Sequence, residues 1–391
     1  MLLDGEEGPA IVSAVLHIAG ARPNFMKAAP VVRALAARGI RQHFLHTGQH
    51  YDFTLSDVFF RDLELPSPDY HLGVGSGSHA QQTAALLTSL EPVLLDLTPS
   101  LVVVYGDVNS TLAGSLVAAK LGIPVAHVEA GLRSFDMTMP EEINRRVTDM
   151  LSDLLFVTSP EALDHLARES IDRARVHFVG NPMIDTLLAN MERLDVTRAR
   201  ESVGAGERYA AATLHRPANV DQVASASRIV EALAAVAEMI QVVLPLHPRG
   251  RPTLEAAGLL RVQNLVVVDP MGYLEFISLV RGATLVITDS GGIQEETTIL
   301  GIPCLTVRPN TERPVTVSHG TNRLVTPEGL PDAARDVLSG NAPQLNNVPP
   351  LWDGRAGERI ADIILSWLDK RTTSPTGPPH NATVHDQWSE L

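Results

Sequence analysis

The sequence predicts an α/β protein with two Rossmann-like, doubly wound domains that face each other across a cleft. Short apolar runs rich in β-branched residues alternate with helical segments through both halves of the chain, which is typical of parallel sheets covered by helices. The length of 391 residues suits two domains rather than one. Polar residues and glycines follow several of the apolar runs, at the strand ends where doubly wound sheets bind their ligands.

The first half of the chain shows this alternation from its first apolar run onward. Strands are predicted over 11–19, 42–47, 101–105, 124–128, 154–158 and 176–180, and helices over 25–37 and 79–97. Pro92 predicts a kink or a break in the second of these helices. Pro140, followed by two acidic residues, predicts the start of another helix, because proline and carboxylates both suit a first helical turn. These elements define an N-terminal domain over residues 1–181.

The second half repeats the pattern beyond Asn181-Pro182, where we place the edge of the linker. Strands are predicted over 209–213, 241–246, 264–268, 283–288 and 303–307, with helices between them. A last helix has one apolar face at helical spacing, formed by Ile360, Ile363, Ile364, Trp367 and Leu368, so it should dock on another element. This pattern gives a C-terminal domain over residues 182–371, whose last helix can pack back on the N-terminal domain. The Pro- and Thr-rich residues 372–391 are expected to form a flexible tail.

The composition restricts the classes of partner. A net charge of −14 argues against nucleic acid and against a membrane surface, since both are anionic. No apolar stretch is long enough to cross a bilayer. The only cysteine, Cys304, cannot form an intramolecular disulfide and lies in a predicted strand, which favours a core position and a cytoplasmic location. An acidic protein that binds an anion must concentrate its few cations at the site.

The most informative stretch is DSGGIQEE, residues 289–296, between an apolar β-branched run and a helical segment. A strand, a tight turn with glycines and a helix together present backbone N–H groups to a phosphate, and the helix dipole favours the anion. Glu295 and Glu296 would repel a phosphate, so at least one of them should contact hydroxyl groups, such as those of a ribose. The stretch predicts a site for a diphosphate-bearing nucleotide. The alternative is an ordinary strand–helix turn with a solvated acidic first turn.

Other polar residues at predicted strand ends should converge on the same cleft, because parallel strands end at one edge of a sheet. They are Arg22, Asp107, Glu129, His215, His247 and Ser290. Asp107 alone would be interpreted as a helix N-cap. Together with Glu129 and with Glu141 at a nearby helix start, it indicates a carboxylate cluster. Crowding raises the pKa of one acid, so one group can hold a proton while another accepts one.

The basic residues of the cleft are candidates for binding phosphate. His215-Arg216 and His247-Pro248-Arg249 follow strands, and Arg313 follows the strand that contains Cys304. A metal site is not predicted, because the sequence has no HExxH motif, no paired cysteines and no histidine pair on one helical face. Nicotinamide dependence is not predicted either, since GxGxxG is absent from the first strand–helix turn. We therefore expect no cofactor.

Taken together, these residues carry a resemblance to a known family. The segments are GARPNFMKAAPVVRAL, TGQHYD, GDVNSTLAGSLVAAKLGIPVAHVEAGLRS, PEEINRR, the HR at 215–216, DSGGIQEE and TERPVTVSHGTNRLV, in this order. In combination they resemble the non-hydrolysing UDP-N-acetylglucosamine 2-epimerases, over nearly the whole chain outside the termini. The resemblance implies two domains of glycosyltransferase-B type, a homodimer, no metal and no nicotinamide. It also implies inversion at C2 of the sugar, which converts UDP-N-acetylglucosamine into UDP-N-acetylmannosamine.

The mechanism that the resemblance implies is anti-elimination of UDP to a 2-acetamidoglucal, followed by protonation from the other face and re-addition of UDP. This chemistry needs a base, an acid and cations that hold the departing UDP. By resemblance the catalytic residues are Asp107, Glu129, Glu141 and His215. The substrate-binding residues implied in the same way are Arg22, Lys27, Arg145, His247, Met271, Phe276, Ser290, Gly291, Gly292, Glu296 and Arg313. Ser290 and the two glycines would hold phosphate, Glu296 the ribose, and Met271 and Phe276 would lie near uracil.

Two loops depart from the family's pattern. Pro217-Ala218-Asn219 follows His215-Arg216 where Arg-Glu-Asn is common, and Asn24 stands where an acidic residue is common. Both loops border the sugar or a regulatory substrate site found in some members, so the regulatory site and the sugar stay open. The alternatives are a 2-epimerase for a diacetamido-uronic acid UDP-sugar, a hydrolysing 2-epimerase, and a non-catalytic UDP-sugar-binding protein.

Overall fold

A computed structural model describes residues 14–48, 60–246, 248–342 and 347–373. Their strands form two parallel sheets, a seven-stranded sheet in the order β3-β2-β1-β4-β5-β6-β7 and a six-stranded sheet in the order β10-β9-β8-β11-β12-β13. The strands are β1 Ala14–Ala19, β2 Arg41–His46, β3 Tyr70–His71, β4 Leu101–Tyr105, β5 Val125–Ala130, β6 Leu154–Val157, β7 Val176–Phe178, β8 Tyr209–Thr213, β9 Gln241–Pro245, β10 Leu265–Val268, β11 Leu285–Thr288, β12 Cys304–Val307 and β13 Asn322–Val325. The prediction of two doubly wound α/β domains is confirmed.

Helices connect the strands and cover both faces of each sheet. They are α1 Arg22–Ala36, α2 His79–Leu97, α3 Asn109–Lys120, α4 Pro140–Leu151, α5 Glu161–Arg168, α6 Pro182–Ala189, α7 Val196–Ser202, α8 Pro217–Val220, α9 Val223–Ala237, α10 Arg251–Ala256, α11 Tyr273–Gly282, α12 Gly291–Leu300, α13 Val315–Ser318, α14 Leu330–Leu338 and α15 Ala356–Thr373. None of the described helices is long and apolar enough to span a membrane.

Both sheets reverse their strand order next to their first strand. In the first sheet β1 pairs with β2 on one side and with β4 on the other, and in the second sheet β8 pairs with β9 and β11. The central strand β4 (LVVVY) is buried along its whole length, as expected of a parallel strand covered on both faces. Ligands of such sheets bind at the carboxyl ends of the strands beside the reversal. The loops that follow β4 and β11 therefore lie where a site is expected.

One continuous core cluster connects the two halves. It includes Val103 and Tyr105 from β4 and Val286 from β11, all fully buried. The last helix α15 joins this core and packs on α1, where a Cβ on Gly357 would lie 2.6 Å from the carbonyl oxygen of Pro30. The C-terminal helix thus contacts the first helix of the chain. The boundary at residue 181 stays a prediction.

Two local features differ from the expectations. Of the kink or break expected at Pro92, a break does not occur, because α2 is one helix over His79–Leu97, and a kink stays a prediction. Leu86, Leu90 and Leu94 are fully buried on one face of α2 and anchor it on both sides of the proline. The pairing of Tyr70–His71 with β2 was missed, since a two-residue strand leaves no hydrophobic period to detect.

Candidate active site

Asp107 lies directly after β4, at the reversal point of the first sheet. Its Oδ2 accepts a hydrogen bond of 2.5 Å from Arg145 Nη1, and its side chain keeps 25% of its surface exposed. Burial raises the pKa of Asp107, but the charges of Arg145, Lys27 and Arg313 outweigh burial and hold this pKa below its usual value. Asp107 is therefore an ionised carboxylate that a ligand can reach.

Glu129 lies at the carboxyl end of β5, in a strained backbone conformation. Its φ is +77°, and the pairing of β5 with β6 shifts register between Val128 and Ala130. A left-handed non-glycine residue costs about 1–3 kcal/mol and persists only where its surroundings hold it, usually at functional sites. The Glu129 carboxylate is 3% exposed and accepts hydrogen bonds from Lys27 Nζ and, at 2.9 Å, from Arg313 Nη2. The bulge aims a buried carboxylate at cations from both halves.

The helix α4 carries two adjacent glutamates with different surroundings. Glu142 is fully buried and accepts from the Ser134 backbone N–H at 2.9 Å and from Arg145 Nη2 at 2.6 Å, so it holds Arg145 in place. Glu141 is half-buried. The pKa of Arg249, in the other half of the chain, is raised mainly by the hydrogen bond from Arg249 to Asp221, and the charge of Glu141 adds a smaller increase. Sequence reasoning named Glu141 and missed Glu142, because successive helical positions point in different directions.

The turn between β11 and α12 contains the predicted phosphate-binding residues. Ser290 is the N-cap of α12, and its side chain makes no capping hydrogen bond. A Cβ on Gly291 would lie 2.3 Å from Arg313 Nη1, and a Cβ on Gly292 would lie 2.7 Å from Met183 Cε. The turn glycines therefore admit Arg313 and Met183, as well as leaving backbone N–H groups open to an anion.

Asp289, which sequence reasoning quoted without a role, fixes the position of His215. Its fully buried carboxylate accepts hydrogen bonds from the backbone N–H groups of His215 at 3.1 Å and of Arg216 at 2.9 Å. The His215 Nδ1 atom lies 3.3 Å from Asp289 Oδ1, and the His215 side chain is 40% exposed. The loops after β8 and β11 are thereby held together, with the His215 ring facing outward from the pair.

Arg313 joins the two halves of the site. Its Nη2 donates to Glu129, its Nε lies 2.9 Å from Glu295 Oε1, and its Nη1 pairs with Glu312. All of these side chains are nearly or fully buried. The carboxylate from the N-terminal sheet and the glycine turn from the C-terminal sheet are thus separated by a single guanidinium group. Glu312 was missed as a site residue, although it lies in the quoted segment TERP.

Glu295 and Glu296 on α12 lie in a different electrostatic environment from Asp107. The pKa of Glu295 is raised to about 7, because burial and the charge of Glu129 outweigh the charges of Arg313 and Lys27. The pKa of Glu296 is raised to about 8, because burial and the charge of Glu295 outweigh the hydrogen bond from Tyr273. Glu296 Oε1 is buried without a hydrogen-bond partner among the described residues. A contact of Glu296 with the ribose stays a prediction.

The remaining predicted site residues are less closely defined. Met271 and Phe276, before and on α11, are half-buried and pack against the core cluster that connects the halves. Arg22 begins α1, just beyond β1, but its side chain lies outside the described atoms, and His247 lies outside the described residues. The described residues contain no group of three or more His, Cys, Asp or Glu side chains placed to hold a metal ion.

Comparison with known proteins identifies the family. A family model described as UDP-N-acetylglucosamine 2-epimerase matches residues 33–365. The chain belongs to this family. The UDP-N-acetylglucosamine 2-epimerase of Methanocaldococcus jannaschii is 43% identical over 359 residues, which are 89% of this chain and 97% of the relative. The UDP-2,3-diacetamido-2,3-dideoxy-D-glucuronate 2-epimerase of Pseudomonas aeruginosa is 45% identical over 363 residues, 90% of this chain and 99% of the relative.

A solved structure agrees with the same family. The crystal structure of the M. jannaschii UDP-GlcNAc 2-epimerase in complex with UDP-GlcNAc and UDP has a TM-score of 0.84 and 41% sequence identity, and covers 90% of this chain and 99% of its own. The resemblance drawn from EAGLR, PEE, DSGGIQEE and TERP is therefore confirmed, and with it the glycosyltransferase-B type of fold. The roles of individual site residues stay predictions.

Proposed function

We propose that this protein is a non-hydrolysing 2-epimerase that interconverts UDP-N-acetylglucosamine and UDP-N-acetylmannosamine. The observation that carries the proposal is the contact of Arg313 with both Glu129 and Gly291. A phosphate bound at the start of α12 then lies close to the N-terminal carboxylates, as a sugar attached to a diphosphate requires. Membership of the family supports the same reaction.

The chemistry follows from the groups that meet at this contact. A base removes the C2 proton while the bond between C1 and the UDP oxygen breaks, which leaves 2-acetamidoglucal and UDP. A proton then reaches C2 from the opposite face, and the UDP oxygen re-forms its bond to C1. The accessible ionised Asp107 and the buried Glu129, together with Glu141, supply the carboxylates. His215 and the cations Lys27, Arg145 and Arg313 stabilise the charge of the departing UDP.

The test is turnover of UDP-N-acetylglucosamine in deuterated water, followed by NMR at C2. We expect UDP-N-acetylmannosamine that carries deuterium at C2, because the abstracted proton exchanges with solvent. Product without deuterium would exclude elimination and re-addition. Stoichiometric free UDP with free N-acetylmannosamine would instead identify a hydrolysing 2-epimerase. Tight binding of UDP with no turnover of any UDP-sugar would identify a binding protein.

A second candidate substrate is a UDP-diacetamido-uronic acid. The relative that acts on UDP-2,3-diacetamido-2,3-dideoxy-D-glucuronate is 45% identical over 99% of its length, so this substrate needs a direct test. The deuterium experiment should be run in parallel on both UDP-sugars. The ratio of kcat/KM values, rather than activity on one compound, decides between them.

We also propose that the protein is a homodimer that uses an exposed apolar face of α4. Ile143, Val147 and Met150 are 44%, 37% and 57% exposed and lie on one helical face, beside the exposed Phe135 and Met137. In a two-fold symmetric dimer the same surface of both protomers forms the interface, so one exposed apolar patch is sufficient. Sedimentation should give a dimer for the wild-type protein and a shift toward monomer for Val147→Lys. A monomeric wild-type protein would exclude this interface.

A further inference from the structure

A buried histidine on β5 contacts the backbone just after β4 and lies near both Asp107 and Glu129 in the sequence of these strands. His127 on β5 is fully buried, its Nε2 lies 2.7 Å from the carbonyl oxygen of Gly106, and its Nδ1 lies 2.6 Å from Asp149 Oδ1. Gly106 immediately precedes Asp107, and His127 is two residues before Glu129. The ring therefore connects the backbone beside one carboxylate to the strand that carries the other.

The two ring nitrogens of His127 face two hydrogen-bond acceptors. A carbonyl oxygen only accepts hydrogen bonds, and so does an ionised carboxylate. Burial raises the pKa of Asp149, but its contacts with His127 and Arg133 outweigh burial and keep the pKa below its usual value. Asp149 is therefore an ionised carboxylate held between His127 and Arg133.

The second oxygen of Asp149 reaches the other side of Glu129. Asp149 Oδ2 accepts from the Gly131 backbone N–H at 3.0 Å and from Arg133 Nη2 at 2.7 Å. Arg133 is fully buried and also donates to Glu169. Asp149 thus binds a residue two positions before Glu129 and a residue two positions after it. It closes the backbone bulge in which Glu129 has a φ of +77°.

We propose that His127, Asp149 and Arg133 form a positioning clamp that fixes the carboxylates of Asp107 and Glu129 relative to each other. None of the three needs to touch the substrate. Left-handed backbone at Glu129 is unfavourable without support, and the clamp supplies contacts on both sides of it. The inference rests on the proposed epimerase function, because it assigns these residues to the spacing of its catalytic groups.

The decisive experiment compares Asp149→Asn with Asp153→Asn in the full-length protein. Asp153 Oδ2 accepts from the Val125 N–H at 2.9 Å, so it supports the opposite end of the same strand β5 and is a matched control. In folded Asp149→Asn we expect kcat to fall by about 10- to 100-fold, the usual effect of a misplaced catalytic group. The Kd for UDP should change by less than about threefold, since the proposed phosphate site lies on α12. The variant should therefore weaken the stabilisation of the transition state and not the binding of UDP. Asp153→Asn should keep kcat within about twofold.

A second pair of variants covers the case in which Asp149→Asn does not fold. His127→Gln can still donate to Gly106 but cannot also reach Asp149, and it should lower kcat in the same way. Its control is His17→Gln, since His17 is another fully buried histidine of this sheet, bonded at 2.6 Å to Tyr105 Oη and at 2.8 Å to Gln42. The clamp is overturned if folded Asp149→Asn or His127→Gln retains the kcat of its control.

A measurement on the unaltered protein separates this proposal from the proposed function. Proton NMR should show a strongly downfield N–H resonance for the 2.6 Å contact between His127 Nδ1 and Asp149, assigned by its loss in His127→Gln. A wild-type protein without this resonance would overturn the clamp even in an active enzyme. A wild-type protein that shows the resonance but turns over no UDP-sugar would overturn the proposed function instead.

Discussion

The acidic side chains around Asp107 and those of helix α12 differ in their ionisation. In the N-terminal half the pKa values of Asp107, Glu142 and Asp149 all lie below their usual values. On α12 in the C-terminal half the pKa values of Glu295 and Glu296 are raised to about 7 and about 8. Burial acts in the same direction on every one of these acids, so burial does not explain the difference.

The difference comes from the number and placement of cations. Asp107 and Glu142 share Arg145, and Asp149 contacts both His127 and Arg133. In contrast, Glu295 competes with Glu129 and Glu312 for Arg313, and the Glu296 carboxylate has only the Tyr273 hydroxyl to lower its pKa. An uncharged Glu295 or Glu296 does not repel a diphosphate bound at the start of α12. Glu312, whose Oε1 would lie 2.8 Å from a Cβ on Gly291, is the opposite case. Burial raises its pKa, but the charges of Arg313, Arg308 and Arg216 outweigh burial and hold this pKa well below its usual value.

The largest effect is expected when a carboxylate of the N-terminal half of the site is removed. Glu129→Gln should lower kcat by about 10²- to 10⁴-fold, the range for a general acid or base. UDP should still bind, because the glycine turn and Arg313 remain. The assay is deuterium incorporation at C2 with UDP binding by calorimetry, and the exposed Asp332→Asn is the control, since Asp332 pairs with Arg335 on the surface. Full activity of Glu129→Gln would remove Glu129 from the mechanism.

A smaller effect is expected from the cation that the two halves share. Arg313→Lys should lower kcat/KM by about 10- to 100-fold, because an ammonium group cannot reproduce the forked contacts of a guanidinium. Arg323→Lys is a matched control, since Arg323 pairs with Asp336 at 3.0 Å on the surface. Steady-state kinetics on both variants tests this expectation. Equal kinetics in the two would show that the contact between Arg313 and Glu129 does not contribute to the reaction.

The smallest effect concerns stability and pH at Glu296. An acid whose pKa is raised on folding binds its proton more tightly in the folded protein, so its stabilising contribution is full below the unfolded pKa and is lost as pH rises toward the folded value. For Glu296 this window ends at about 8. The free energy of unfolding should fall with rising pH by at most about 1.4 kcal/mol per pH unit for this one group.

Glu296→Gln should make the free energy of unfolding fall less steeply with rising pH, and Glu295 should account for much of the pH dependence that remains. Urea unfolding at several pH values between about 5 and 8 measures this pH dependence, since this window lies above the ordinary pKa of a glutamate. The ionised acids of the N-terminal half give the opposite sign, because their stabilising contribution is lost as pH falls through their lowered pKa values. An unchanged slope in Glu296→Gln would show that Glu296 is ionised in the folded protein.

The pattern of residues along the chain was enough to predict the fold class and the regions that form the site. Alternating apolar runs and helical segments predicted two doubly wound sheets, because hydrophobic period and turn residues act locally. The same reasoning placed Asp107, Glu129 and the turn after β11 at strand ends. The family was predicted from the resemblance of a few segments, such as EAGLR and DSGGIQEE, to those of known 2-epimerases.

Contacts between elements that are distant in the chain determine how these groups act together. Glu129 takes its cations from Lys27 and Arg313, which are 102 and 184 residues away, so no local pattern could pair them. The left-handed backbone of Glu129, the choice of Glu142 rather than Glu141 as the buried partner of Arg145, and the clamp through Asp149 all depend on neighbouring elements. Protonation is decided at the same level, because burial and the nearest charges set a pKa, and both come from residues distant in the chain.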